Sequence, residues 1–148
     1  MVVRPARPDE AAALAALAVR SKAHWGYPPD FVRRFAATMG LTADVVATND
    51  VQVGERDGVV RGFYTLLHRG DVVVLDDLWL EPDEIGHGSG RLLFEHAAAR
   101  ARAAGATVME WEAEPYAVGF YTRMGGTTVR HTESTLGRRL PVMQLRLT

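Results

Sequence analysis

The sequence has no cysteine among its 148 residues. That absence excludes disulfide scaffolds, thiolate zinc sites, iron–sulfur clusters and a cysteine nucleophile together. A chain of this length buries about two-thirds of its unfolded surface, so its core needs no such staple. No stretch approaches the run of about 18 apolar residues that a membrane span requires. The start, Met1-Val2-Val3-Arg4-Pro5-Ala6-Arg7-Pro8, lacks the apolar centre of a secretory signal. Charge of one sign is missing too: 17 Lys and Arg stand against 18 Asp and Glu, for a formal net charge of −1. Neither nucleic acid nor a membrane is expected as a partner, and a cytoplasmic location is. His68, His87, His96 and His131 show no spacing with carboxylates that would make a metal site.

What is present is an ordinary globular mixture, 47% hydrophobic and 24% charged, which predicts one domain over residues 1–148. A short extended start precedes a helix from Pro8 to Lys22 with acids at its positive end. A loop with two prolines, His24 to Pro29, leads to a second helix from Pro29 to Met39, where Phe31, Phe35 and Met39 repeat every four residues. Thr42 to Thr48 adds a further turn or two. The period then changes to two. Val51 to Arg56, Val59 to His68 and Asp71 to Leu80 read as strands joined at Asp57-Gly58 and Arg69-Gly70, an antiparallel meander. A helix from Arg91 to Ala104 follows, closed by Gly105, then a strand at Val108 to Glu112, a short helix from Tyr116 to Met124, and a final strand pair at Thr127 to Glu133 and Pro141 to Leu147. The fold class is α/β (α+β), a mixed, mainly antiparallel sheet flanked by helices.

Gly86-His87-Gly88-Ser89-Gly90 lies between the last meander strand and the helix at Arg91. Glycines let backbone N–H groups approach an anion, and a helix N-terminus adds about half a positive charge. The turn therefore suits a phosphate, though a plain strand-to-helix turn has the same composition. A nucleotide P-loop is unlike it, because Gly90-Arg91-Leu92 stands where Gly-Lys-Ser/Thr is needed. A dinucleotide fingerprint ranks second for the ligand, since Arg91 occupies the third glycine's place.

The run Leu78-Trp79-Leu80-Glu81-Pro82, followed after three residues by Gly86-His87-Gly88-Ser89-Gly90-Arg91-Leu92-Leu93, resembles the acyl-CoA motif of the GNAT N-acyltransferases. Ala117 to Gly125, with Phe120-Tyr121 and Gly125, resembles that family's tyrosine helix. The resemblance covers essentially the whole chain. It implies acetyl-CoA as co-substrate, with Leu78 and Leu80 holding the pantetheine arm and Gly86, His87, Gly88, Ser89, Gly90 and Arg91 the pyrophosphate. Three positions depart from the family pattern. Ile85 stands where Arg or Gln is usual, Glu114 where Asn is frequent, and Gly126 where an aromatic commonly follows the helix. Arg100 or Arg102 is a further candidate for CoA phosphate.

Acetylating a primary amine requires removing a proton whose pKa is near 10.4. Neighbours on a strand face opposite ways, so of Asp76 and Asp77 only one reaches a given pocket. By resemblance to the polyamine-acetylating branch, Asp76 is the base, through a water, and Asp77 the reserve. An exposed, structural Asp76 is the other reading. Tyr121 is by the same resemblance the acid that protonates the departing thiolate, against a plain core aromatic beside Phe120. The Leu80 N–H is a candidate for the thioester oxygen. His24, Trp25 and Tyr27 sit in the loop that walls the acceptor site in this family, where aromatics hold an amine or simply plug the helix pair. The expected activity is direct transfer from acetyl-CoA to the primary amine of a small molecule in a ternary complex. A peptide or protein acceptor, or a non-catalytic acyl-CoA sensor, are the alternatives. Pairing of final strands between copies, frequent in the family, adds a homodimer as an option.

Overall fold

Asp57 and Gly58 both have positive φ, 54° and 78°, the backbone of a two-residue hairpin turn whose twist matches the strands on either side. The computed structural model, which describes all 148 residues, builds outward from that hairpin. The elements are β1 (Val2–Pro5), α1 (Ala11–Ala23), α2 (Pro29–Thr38), α3 (Ala43–Thr48), β2 (Asp50–Arg56), β3 (Val59–Arg69), β4 (Val72–Leu80), α4 (Ser89–Ala103), β5 (Val108–Glu112), α5 (Val118–Arg123), β6 (Thr127–Glu133) and β7 (Arg139–Arg146). The strands form a seven-stranded sheet in the order β1-β2-β3-β4-β5-β7-β6. This is the mainly antiparallel α/β arrangement expected, with the β4–β5 pair parallel. No helix is long and apolar enough to cross a membrane.

Two helices begin later than their sequence pattern predicts, each for a capping reason. Pro8–Glu10 forms a separate 3-10 turn, because the Glu10 carboxylate accepts from the Arg7 backbone N–H at 2.8 Å and from Arg4 at 2.9 and 3.0 Å. Pro115–Ala117 likewise forms its own turn ahead of α5, with the Glu114 carboxylate accepting from the Tyr116 N–H at 3.4 Å. Conversely, α4 starts at Ser89 rather than Arg91.

The chain groups into two compact units, Met1–Thr65 with Asp77–Leu93, and Leu66–Asp76 with Phe94–Thr148. In the first, Leu14, Leu17 and Ala18 of α1 pack with Val46 of α3, Val51 and Val53 of β2 and Phe63 of β3. The spacing of the α1 residues puts them on one helical stripe, and the β2 pair on one strand face. In the second, α4 buries Phe94, Ala97, Ala98 and Ala101, and β5 buries Met109 and Trp111. Here β7 pairs antiparallel with β5, from Val108↔Arg146 to Glu112↔Val142, and with β6 across a bulge at Thr128 to Arg130.

Candidate active site

Each candidate is described within its own unit. In the first unit, Trp79 packs against the helical core and its indole N–H donates to the Asp77 carboxylate at 3.1 Å. Trp79 and its partner Asp77 thus lie on the strand face toward that core, and Leu78 and Leu80 face the other way. A Cβ built on Gly62 would stand 2.7 Å from Leu80 Cδ2, 2.9 Å from the Trp79 carbonyl oxygen and 3.0 Å from Leu93 Cδ1. Only glycine lets β3 pass that close to Leu80. The Glu81 N–H donates to the Arg61 carbonyl on β3 at 2.9 Å. Successive backbone N–H groups of a strand point to opposite edges, so those of Leu78 and Leu80 point away from β3.

The glycine turn follows. Gly86 and Gly88 have φ of 85° and 88°, and nothing lies within 4 Å of a Cβ built on either. They are required for the left-handed backbone and not for crowding. Gly86, His87 and Gly88 are exposed. The amide of His87 donates to the Glu84 carbonyl at 3.3 Å, and that of Leu92 to the Gly88 carbonyl at 3.1 Å. The first N–H groups of α4, those of Ser89, Gly90 and Arg91, have no carbonyl to reach within the helix and point out of its N-terminus. An anion there is suited by these amides and by the helix dipole. His87 belongs to the turn without offering its amide.

Beneath the turn lies a carboxylate that the sequence reading did not single out. Glu84 is buried and accepts from the Ser89 hydroxyl at 2.5 Å, from Arg61 Nε at 3.0 Å and from Arg56 Nη2 at 3.3 Å. The Ser89 bond first, then the two guanidinium groups, hold the Glu84 carboxyl down to about 2 against the cost of burial. Arg61 also pairs with Asp83. The partners lie 28 and 23 residues upstream of Glu84, beyond any local spacing signal. Arg20 of α1 is paired with Glu81 at the end of β4.

The loop after α1 is divided. His24 meets Trp25 edge to face, with ring centres 5.1 Å apart. Tyr27 instead stacks on Phe31 at 4.6 Å, and both rings lie over the ammonium of Lys22, 4.8 and 5.5 Å from its Nζ. Phe35 and Trp79 complete a ring of four, 5.3 and 6.0 Å from the same atom. Lys22 itself is 8% exposed.

In the second unit, the β4–β5 ladder runs from Val72↔Val108 to Val74↔Glu110. Asp76 lies two residues past it, and the residue as a whole is exposed. Partial burial pushes its carboxyl up, and the Arg69 charge pulls it back in part. Tyr121 on α5 is buried among aromatic rings, with centres 5.0 Å from Trp111, 5.2 Å from Phe120 and 6.0 Å from Phe94. Burial, then the nearby Glu114 charge, drive its phenol well above 10. A Cβ on Gly126 would meet Trp111 Cζ2 at 2.8 Å, so the indole fills the space a side chain at that position needs. Arg102 Nε donates to the Leu147 carbonyl at 3.1 Å.

Comparison with known proteins bears on these elements directly. The model of the acetyltransferase (GNAT) family matches residues 11–126, from the start of α1 through the glycine turn to the end of the tyrosine helix. The chain belongs to this family. Peptidyl-lysine N-acetyltransferase YjaB of Escherichia coli (strain K12) is 38% identical to this GNAT chain over 96 residues, 64% of the chain and 60% of the relative. YjaB of Salmonella typhimurium is 39% identical over 72 residues, 48% of each protein. The chain thus spans about half to three-fifths of these curated relatives. PaiA N-acetyltransferase of Thermoplasma acidophilum, solved in complex with coenzyme A, has the same fold, with a TM-score of 0.82 at 13% identity over 98% of both chains. In GNAT terms, the loop after α1, the β4 amides, the turn after Glu84 and the α5 tyrosine are the elements at which the sequence motifs fall. Lys22, Phe31, Phe35, Trp79 and Glu84 are what the sequence reading of the site missed. The four-residue repeat of Phe31 and Phe35 was its one visible trace, and it reads equally as core.

Proposed function

We propose that this chain transfers an acetyl group from acetyl-CoA to a primary amine by direct attack in a ternary complex. The observation that carries the reading is the glycine turn. Two exposed left-handed glycines run into the N-terminus of α4, one 3-10 turn (Pro82–Glu84) after a strand whose Leu78 and Leu80 amides point away from its β3 neighbour. Membership of the acetyltransferase family and a PaiA neighbour solved with coenzyme A support the same donor.

Acetyl-CoA supplies an acetyl thioester, whose carbonyl carbon an amine nitrogen attacks with release of the CoA thiol. The amides of Ser89, Gly90 and Arg91 at the helix start suit the pyrophosphate. The Arg91 side chain, exposed in the first turn of α4, adds a positive charge. The Leu78 N–H suits the pantetheine arm, and that of Leu80 the oxygen that gains charge as the nitrogen attacks. Asp76 serves as the base. A carboxyl raised above its ordinary value by burial holds a proton more readily than a free aspartate. Tyr121 is the acid for the thiolate. Burial keeps the proton on its phenol in the folded chain, and because a raised phenol is a weaker acid the transfer relies on its placement and not on its acidity.

Small amines and lysine side chains present the same nucleophile. The sequence reading favours a small molecule, and the peptidyl-lysine activity in the names of the curated relatives favours a peptide. The experiment is a calorimetric titration with acetyl-CoA, with NAD as control, followed by CoA-thiol release from a panel of small amines and lysine peptides. Micromolar binding of acetyl-CoA with thiol release by one acceptor class is the expected result. Binding with no release by any amine makes the chain an acyl-CoA sensor, and absence of binding overturns the reading.

A further inference from the structure

Inside the first unit, four aromatic rings surround an ammonium that belongs to the chain itself. Lys22 Nζ lies 4.8 Å from the ring centre of Tyr27, 5.3 Å from Phe35, 5.5 Å from Phe31 and 6.0 Å from Trp79. The rings brace one another in pairs, Tyr27 stacked on Phe31 and Phe35 edge-on to Trp79 at 5.3 Å. The Trp79 indole is held in turn by Asp77. Ring faces attract cations, the more so where water is excluded, and the attraction is to charge and not to any particular ammonium. Tyr27, Phe35 and Trp79 are only half-buried, so part of each ring is open to solvent beside the flexible lysine stem. Trp79 stands on β4 between Leu78 and Leu80, whose backbone amides are assigned above to the acyl donor and whose side chains take the opposite face.

We infer that the cage of Tyr27, Phe31, Phe35 and Trp79 is a cation-recognition subsite for the acceptor, kept filled by Lys22 until an acceptor displaces it. The inference rests on the acetyltransferase reading and names its substrate class. A nitrogen that is acetylated must shed its proton, whereas the cage favours a nitrogen that keeps its charge. The caged group is therefore a second cation on the acceptor. The substrates are amines with at least two basic nitrogens, one for the reaction and one for the box. Singly charged amines, which must compete with a tethered ammonium for the rings, are poor acceptors.

Tetramethylammonium chloride is the probe, with sodium chloride at equal ionic strength as blank and neopentyl alcohol as neutral isostere. The readout is the set of three tryptophan indole N–H signals in NMR, assigned by single Trp→Phe variants. In Lys22→Ala protein the Trp79 signal shifts saturably with the cation, at least about fivefold more tightly than in the wild type. The neutral isostere leaves that signal in place, and Lys22→Ala/Phe35→Ala loses the response. Equal responses to cation and isostere in folded Lys22→Ala overturn the inference. Should Lys22→Ala not fold, the wild type answers by itself. The ring-shielded ε-methylene signals of Lys22 move toward free-lysine values as the cation is added, and signals that stay put up to its solubility limit overturn the inference. An acceptor panel scored for CoA release keeps the two readings apart. A cation-selective cage without any acetylation keeps the cation site but removes the acetyl-transfer reading, and with it the site's role for an acceptor. Equal kcat/KM for a monoamine and its diamine homologue, beside a cation-blind cage, removes the subsite alone.

Discussion

The Ser89 hydroxyl donates to a carboxylate oxygen of Glu84 at 2.5 Å, tying the first residue of α4 to the residue two before Gly86. The glycine turn is closed from below by this bond, so its shape depends on a buried carboxylate. Glu84→Gln leaves Arg56 and Arg61 facing a neutral amide. The expected outcome is weaker acetyl-CoA binding, several-fold in calorimetry, with turnover at saturation largely kept. A pH dependence separates this from general damage. The Glu84 carboxyl sits at about 2 in the folded chain against an ordinary 4.5. A depressed folded value contributes stability that is present above the unfolded pKa and is lost as pH falls from about 4.5 toward 2, up to about 3 kcal/mol. Glu10, held at about 2 by Arg4, loses its contribution in the same window. The wild-type minus Glu84→Gln difference in denaturant midpoints between pH 7 and 2.5 therefore isolates Glu84. A constant difference across that range removes the buried-carboxylate account.

Asp76→Asn tests the base. Removing a general base typically lowers turnover by about 100-fold or more, and acetyl-CoA affinity is expected to hold. Because burial raises the Asp76 carboxyl, the acid limb of the wild-type kcat/KM profile is expected above the ordinary aspartate value and absent in Asp76→Asn. Unaltered turnover takes Asp76 out of the mechanism. Asp77→Asn acts on Trp79 instead, the indole it holds, and is expected to change KM for the acceptor more than kcat.

The sheet was legible in the sequence because its signals are local. Alternation along Val51 to Leu80 and the Asp57-Gly58 turn specify the meander, and Gly105 closes α4 with a φ of 88°. The glycine turn was legible for the same reason. Helix starts were not, because Glu10 closes one turn and Glu114 caps the start of another through side-chain bonds that a period does not register. The cage and the Glu84 cluster were illegible for a different reason. Lys22 is only the last residue of a predicted helix until α2 and β4 bring rings over it, and Arg56 and Arg61 lie on separate predicted strands until the turn delivers Glu84. Gly126 looked like a lost aromatic, and its place is taken by the Trp111 ring.

Tyr121→Phe separates an acid from a core ring. The three aromatic neighbours are kept, so the folded state is expected to stay within about 1 kcal/mol of wild type. If the phenol protonates the thiolate, kcat falls about tenfold or more while acetyl-CoA affinity holds. Full activity makes Tyr121 structural. The raised phenol also gives a sign for stability: it stays neutral in the folded chain while the unfolded one ionises near pH 10. Stability is therefore lost as pH rises above 10 in the wild type, and Tyr121→Phe is expected to lose less in chemical denaturation at pH 11.

Gly62→Ala tests whether the fit of β3 against β4 serves the donor strand. The added methyl would meet the Trp79 carbonyl oxygen at 2.9 Å and Leu80 Cδ2 at 2.7 Å. The leucine tip can rotate, but the carbonyl moves only with its strand. Overpacking of this kind typically destabilises by about 1–3 kcal/mol. Since Leu78 and Leu80 carry the amides assigned to acetyl-CoA, relief by a shift of β4 is expected to weaken acetyl-CoA binding as well. Gly58→Ala, at an open turn position with φ of 78°, provides the contrast. It strains the hairpin by about 1 kcal/mol without touching β4, so its acetyl-CoA affinity is expected to match the wild type. Equal loss of affinity in the two variants would show that binding follows global stability and not the placement of Leu80.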